Sequence, residues 1–503
     1  MNNVLDYLSD TVKKYPDKPA FVDAGVSLSF SELKSAIDSI GTALLQEGCR
    51  KEPIIVFMDK SAKEIAAFFG VIASGCYYVP IDSEMPAMRI QKIIDNCNPK
   101  VCIADEKNLD AASKLNFKGK VFTYDELAGR EPDAAALQKV HDETIDIDPI
   151  YIVFTSGSTG IPKGVAACHR SVIDYIEQLS KVLEVSEKTV FGNQAPLYFD
   201  ACLKELYPTI KFGATTYLIP KELFSMPLKL VEYLNEKKIN TICWVVSALT
   251  IISAFKTFKK LVPEHLKVVA FGSEVFAIKQ YNLWKEACPN AKFINLYGPT
   301  EATGMSCFYV VDKEFSEGDV IPIGRPFENT QVLLLKEDGT LAEKGEEGEI
   351  YLRGTCVTLG YYNDPERTAG SFVQNPLQKS FPEIVYRTGD IARYNDEGNL
   401  LFVSRRDNQI KHMGHRIELG EIEAGVAQID GISLTGCIYD DKKEKIVLYY
   451  TGEIAEAEVI NGLKNLLPRY MLPNKVYRLE EMLFTPNGKI DRKSLKQKYY
   501  DEQ

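Results

Sequence analysis

The sequence predicts an α/β protein with a large N-terminal part of layered α/β subdomains, a β-rich subdomain closing that part, and a small α+β domain at the C-terminal end. Three observations predict it. A chain of 503 residues exceeds what one ordinary hydrophobic core serves, so more than one domain is expected. Strand-like apolar runs alternate with helical patterns over roughly the first 320 residues, the rhythm of α/β layering. Beyond that point the texture changes twice, first to short alternating segments and then to a charged stretch followed by its own α+β pattern.

In order along the chain, 53–58 reads as a strand, 62–74 as a helix and 100–104 as a strand. The apolar run 65–81 approaches membrane length, but Gly70, Ser74, Gly75 and Pro80 interrupt it, so it reads as a buried helix running into a strand rather than a membrane insertion. Further strands are expected at 121–124, 150–154, 215–219, 241–245, 267–271 and 293–295. The β-rich subdomain is announced by 330–335, 348–353 and 400–403, separated by Gly and Asp turns. A boundary near Asp407 divides the chain into 1–406 and 407–503.

Composition narrows the function. With 45% apolar and 26% charged residues the chain should pack into cores. A net charge of -11 argues against nucleic acid or an anionic membrane as partner, because phosphate-rich surfaces attract Lys and Arg fields. The opening MNNVLDYLSD lacks the basic and apolar regions of a secretory signal, which leaves the cytoplasm as the expected location. Eleven cysteines without a CxxC pair fit reduced thiols, and five histidines outside any cluster with Cys give no structural zinc site.

Four strings carry chemistry. In 151–165, YIVFTSGSTGIPKGV, a strand enters a loop where glycines allow close backbone approach, amides and the hydroxyls of Thr155, Ser156, Ser158 and Thr159 can donate to phosphate, and Lys163 adds positive charge beside Gly157 and Gly160. The order is not that of a Walker loop. In 295–303, NLYGPTEAT, Tyr297 can stack on a base and Glu301 can hold Mg2+, although such a string alone is also an ordinary turn. In 386–390, YRTGD, Asp390 offers two acceptors to the paired hydroxyls of a ribose. In 485–492, TPNGKIDR, Lys489 sits on an Asn-Gly turn, which alone is also compatible with a surface lysine.

These strings, with LSFSELKSA, ASGCYYVPID, NQAPLYFDACLKELYP, GEIYLRG and SRRDNQIKHMGHRIELGEIE, resemble over essentially the whole chain the adenylate-forming superfamily of acyl-CoA synthetases, luciferases and adenylation domains of nonribosomal peptide synthetases. Asp200 in YFDACLKELYP matches the aspartate that holds an amino-acid substrate's ammonium, so the chain looks most like the amino-acid adenylating members, and its length resembles that of the D-alanine:carrier-protein ligases. The alternative role for Asp200 is a helix N-cap.

The resemblance implies ATP and Mg2+ as cofactors. It assigns nucleotide contacts to Thr155, Ser156, Gly157, Ser158, Thr159, Gly160 and Lys163, to Gly272, Asn295, Tyr297, Gly298, Pro299 and Thr300, and to Asp390 and Arg405. Ser404 stands before Arg405 where the family usually has glycine. Glu301 would be the metal ligand, Asp407 the hinge of a mobile C-terminal domain, and Lys489 the catalytic lysine. The substrate pocket would be lined by Asp200, Ala201, Lys204, Cys243, Val269, Phe271, Leu296, Gly304 and Met305. Asp200 and Lys204 lie one helical turn apart. The substrate is then either acidic or polar and meets Lys204, or small like alanine with Lys204 paired to Asp200 or reaching solvent, and a bulky Phe271 would exclude large aromatic side chains.

The implied reaction is ATP-dependent formation of an aminoacyl adenylate with release of pyrophosphate, then transfer to a phosphopantetheine thiol. The chain runs only 14 residues beyond Lys489, so the acceptor is expected to be a separate carrier protein. The alternatives are an acyl-CoA synthetase acting on a non-amino acid with free coenzyme A, and a catalytically silent adenylate-binding protein.

Overall fold

The computed structural model describes residues 1–157, 161–485 and 490–502. It divides into a larger unit, Met1–Ser83 with Cys97–Val153 and Gly164–Arg406, and a smaller unit, Glu84–Asn96 with Phe154–Lys163 and Asp407–Gln503.

The larger unit is mixed α/β. Its six-stranded sheet runs Lys120–Thr123, Val101–Ala104, Pro53–Phe57, Tyr77–Pro80, Pro149–Thr155, Lys163–Cys168, and the pairings of Pro53–Phe57 with both neighbours are parallel. Every residue of Pro53–Phe57 is buried, as expected where helices cover both faces of a parallel sheet. Helix Phe30–Gln46 begins with a capping box in which Ser29 and Glu32 satisfy each other's backbone amides. It packs closely on helix Ala62–Ala73, because Gly41 and Gly70 carry no side chain: a Cβ on Gly70 would lie 2.6 Å from Ile40.

The second sheet has nine strands in the order Arg325–Pro326, Cys307–Val310, Lys292–Tyr297, Val268–Gly272, Thr241–Val245, Val190–Asn193, Thr215–Leu218, Pro19–Val22, Ser27–Ser29. Its central strands are parallel, with Cys243 opposite Ala270 and Ala270 opposite Ile294. The β-rich part is an antiparallel sheet in which Gly348–Gly354 lies between Thr330–Leu335 and Ile384–Tyr394, with Phe372–Gln374 and Leu400–Arg405 both pairing to Ile384–Tyr394.

The smaller unit contains a tight hairpin, Gln409–His412 with His415–Glu418, turned by Met413 and Gly414, both at positive φ (51° and 79°), the twist that a two-residue hairpin loop needs. It continues with a three-stranded sheet of Ile432–Asp440, Lys445–Gly452 and Lys475–Arg478, covered by helices Leu419–Val426, Glu456–Leu463 and Arg492–Asp501. Among the described residues, no helix is long and apolar enough to cross a membrane. The eleven cysteines are all free and buried.

Candidate active site

In the larger unit, strand Lys292–Tyr297 delivers Tyr297 to the end of the nine-stranded sheet, and the chain then turns through Gly298, Pro299 and the short helix Thr300–Ala302. The turn is closed by the Ser306 amide donating to the Tyr297 carbonyl at 2.7 Å. The Tyr297 hydroxyl donates to Asp390 Oδ2, and Arg405 donates to Asp390 Oδ1 at 2.6 Å, so three of the expected nucleotide residues form one cluster in which Tyr297 and Asp390 are buried. Burial, then the neighbouring Asp390 charge, pushes the Tyr297 phenol well above its ordinary value. Thr388, not singled out in the sequence, places this carboxylate: its hydroxyl accepts from the Asp390 amide at 3.0 Å and donates to the Ile350 carbonyl at 2.8 Å.

Glu301 is fully buried and accepts from the Tyr361 hydroxyl at 2.8 Å, a partner the sequence did not reveal. A single carboxylate of this kind suits Mg2+, which takes one or two protein oxygens and completes its shell with water and substrate phosphate. Asn295 is occupied structurally, its side-chain amide donating to the Pro322 carbonyl at 2.8 Å. Gly272 ends its strand so close to Leu296 that a Cβ would lie 2.3 Å from that carbonyl oxygen.

Asp200 opens a 3-10 turn, Asp200–Cys202, that runs into helix Leu203–Phe212. Ala201 is half-buried against the main core, while Lys204 and Glu205 are both buried. Burial pushes the Glu205 carboxyl up to about 7, against the pull of Lys204, the Asn193 amide donating at 3.3 Å, and Lys60. Lys60 in turn donates to the Asn193 and Gln194 carbonyls at 3.1 Å each, and burial lowers it to about 8. Lys204 therefore lies in the field of Glu205, the residue beside it in the chain.

The sheet separates the expected pocket residues by face. Cys243, Leu296 and Met305 belong to the main core with Ala270, Cys202 and Leu203. Val269 and Phe271, offset by one residue from Ala270, point to the opposite face and pack in a second core with Trp244, Tyr281 and Phe293. Phe271 meets Phe276 edge-on at 5.0 Å. The structure brings Cys243, Leu296, Gly304 and Met305 toward the side of Asp200 and does not bring Val269 or Phe271 there.

In the smaller unit, Thr155 Oγ1 is buried without a partner among the described residues, Ser156 Oγ donates to the Arg416 carbonyl at 2.7 Å, and the Gly157 amide donates to Glu421 Oε2 at 3.1 Å. Lys163 is buried. An orphaned buried hydroxyl and an amide already holding a carboxylate are donors of the kind that phosphate oxygens take, so the segment fits ATP. Asp407 Oδ1 accepts from the Gln409 amide at 3.2 Å. Ser158, Thr159, Gly160 and Lys489 lie outside the described residues.

The family model described as AMP-binding enzyme matches residues 8–362, and the chain belongs to that family, whose members form adenylates and use ATP with Mg2+. Tyrocidine synthase 1 of Brevibacillus parabrevis is 31% identical over 503 residues, covering 98% of this chain and 45% of that protein, so the chain spans less than half of that relative's length. An NRPS protein containing adenylation and PCP domains, solved in its holo form bound to a vinylsulfonamide inhibitor, aligns with a TM-score of 0.85 at 25% identity, over 99% of this chain and 84% of that one. The Vibrio cholerae adenylation domain AlmE, in complex with glycyl-adenosine-5'-phosphate, shares the fold at a TM-score of 0.86 and 20% identity, over 100% and 98% of the two chains. The chain is an adenylating enzyme of the type found as adenylation domains in nonribosomal peptide synthetases.

Proposed function

We propose that this chain activates an amino acid with ATP as its aminoacyl adenylate, releasing pyrophosphate, and passes the aminoacyl group to the phosphopantetheine thiol of a carrier protein. The observation that carries the amino-acid reading is Asp200, an acidic side chain opening the turn whose Ala201 and Cys202 pack on the main apolar core, ahead of helix Leu203–Phe212. An ionised carboxylate in such surroundings is the natural partner of a substrate ammonium, and a non-amino acid has no use for it. The glycyl adenylate bound by AlmE and the PCP domain joined to the holo protein support the same reading.

With the ammonium on Asp200, the substrate carboxylate is oriented so that one oxygen attacks the α-phosphorus and pyrophosphate departs. Asp390 and Arg405 hold the nucleotide, and Tyr297 gives the base an aromatic surface. Mg2+, held through Glu301, neutralises phosphate charge when bound. Lys489 supplies the cation at the reacting oxygens. Positioning and neutralisation are the protein's main contributions.

Amino-acid-dependent pyrophosphate exchange tests this, with a panel of amino acids and simple carboxylic acids. Exchange should require an amino acid, Asp200→Ala should lose it by several kcal/mol of transition-state binding, roughly 3–5, and Lys489→Ala should reduce it about a hundredfold or more while ATP still binds. Thioester should form on a holo carrier protein far better than on coenzyme A. Equal yield from coenzyme A, or exchange driven by an acid without an amino group, would favour an acyl-CoA synthetase instead.

A further inference from the structure

The hydroxyls of Tyr151 and Tyr175 are fully buried and have no hydrogen-bond partner among the described residues. Buried polar groups are nearly always paired, so an orphaned hydroxyl beside an expected pocket residue is one that a ligand can complete. Tyr175 comes from helix His169–Leu183 and lies across Gly304: a Cβ there would sit 2.9 Å from the ring and 3.1 Å from the hydroxyl oxygen, and Gly304 itself holds a φ of +79°. The ring is steadied by an edge contact to Phe327 at 6.4 Å.

Burial, with Asp200 adding to it, pushes both phenols well above their ordinary value. Tyr175 lies across Gly304 and shares a core with Cys243, Leu296 and Met305, the residues that the resemblance assigns to the substrate pocket.

We propose that Tyr175 is a specificity-determining residue whose hydroxyl hydrogen-bonds the substrate side chain, so that the enzyme selects a small amino acid bearing a hydroxyl over its apolar counterpart. The proposal rests on the amino-acid reading above and names the substrate class for it. Size is limited because Tyr175 fills the space over Gly304, with Leu296 and Met305 supplying apolar walls. A hydroxyl is then the group that keeps Tyr175 paired once the substrate has expelled water, and a methyl would leave it orphaned.

The test is pyrophosphate exchange by the full chain with serine, alanine and aspartate, for wild type and Tyr175→Phe, with thermal melting of both. Wild type should use serine at least about tenfold better than alanine in kcat/KM. Tyr175→Phe should lower the serine value about tenfold, leave alanine within about twofold and melt no lower than wild type, since it removes an orphaned buried hydroxyl. Equal losses for serine and alanine would put the hydroxyl on the ammonium and overturn the proposal, as would aspartate as the best substrate. The wild-type ratio needs no variant, so alanine matching serine overturns it even if Tyr175→Phe fails to fold. Exchange with amino acids at an unaltered ratio removes the Tyr175 assignment alone, whereas exchange with no amino acid removes the amino-acid reading beneath it.

Discussion

Glu205 stands in helix Leu203–Phe212 with its carboxyl fully buried, one oxygen taking the Asn193 amide and the other without a partner among the described residues. Its ordinary value of 4.5 rises to about 7 on folding, so the folded protein holds this proton more tightly than the unfolded chain. The stability it confers is complete below pH 4.5 and is lost as pH rises through 7, a decline of roughly 2–3 kcal/mol over that window. Glu205→Gln has no proton to lose, so its urea midpoint should vary less between pH 4.5 and 7.5 than that of wild type; equal slopes would show that Glu205 does not titrate there. Asp200 is legible in the sequence through the match of YFDACLKELYP to the segment in which amino-acid adenylating members hold the substrate ammonium. The sequence did not reveal that Glu205 supplies the charge facing Lys204, nor that Tyr175 reaches Gly304. A tyrosine at the buried stripe of helix His169–Leu183 has the same pattern as any core residue, and only its orphaned hydroxyl distinguishes it.

At the level of elements, the turn after strand Lys292–Tyr297 shows how tightly the site is built. A Cβ at Gly298 would lie 2.5 Å from both the Gly304 carbonyl oxygen and the Met305 Cα, and 2.6 Å from the Ser306 nitrogen, all backbone. Gly298→Ala must therefore push the two arms of the turn apart, costing about 1–3 kcal/mol and weakening both ATP and amino-acid use. Gly370 in helix Pro365–Ser371 meets nothing within 4 Å, and Gly370→Ala should be neutral or stabilising by up to about 1 kcal/mol. Thermal melts of the pair check this, and similar melting temperatures would refute the crowding at Gly298. The elements themselves were largely legible: the expected strands at 241–245 and 330–335 coincide with Thr241–Val245 and Thr330–Leu335, and 267–271 is shifted by one residue to Val268–Gly272. What the sequence hid was the facing of that last strand. All five of its residues are buried, so there is no polar alternation to tell inside from outside, and Val269 and Phe271, which the resemblance places in the pocket, pack on the face opposite Ala270, in the second core.

The whole molecule raises the question of movement. The unit beginning at Asp407 also takes in Glu84–Asn96 and Phe154–Lys163, a composition no local pattern announces. Two apolar clusters of this unit draw all their residues from the chain after Asp407: one joins Ile417, Ile422, Leu448 and Val459, the other Ile438, Tyr449, Leu495 and Tyr499. A segment with its own cores can keep its shape while its connection to the rest of the chain bends, and that connection passes through Arg406 and Asp407. Proline at 407 fixes φ near −65° and restricts the preceding residue, so it locks one backbone setting without touching either core. If the two half-reactions use different settings of this joint, Asp407→Pro should keep pyrophosphate exchange within about threefold and lose at least about tenfold in thioester formation on a holo carrier protein, a hinge effect on one step alone. Both rates are measured on one preparation, exchange by label incorporation and thioester by intact mass of the carrier. Equal losses in the two assays would indicate a damaged fold, and no loss in either would mean that Asp407 is not the hinge.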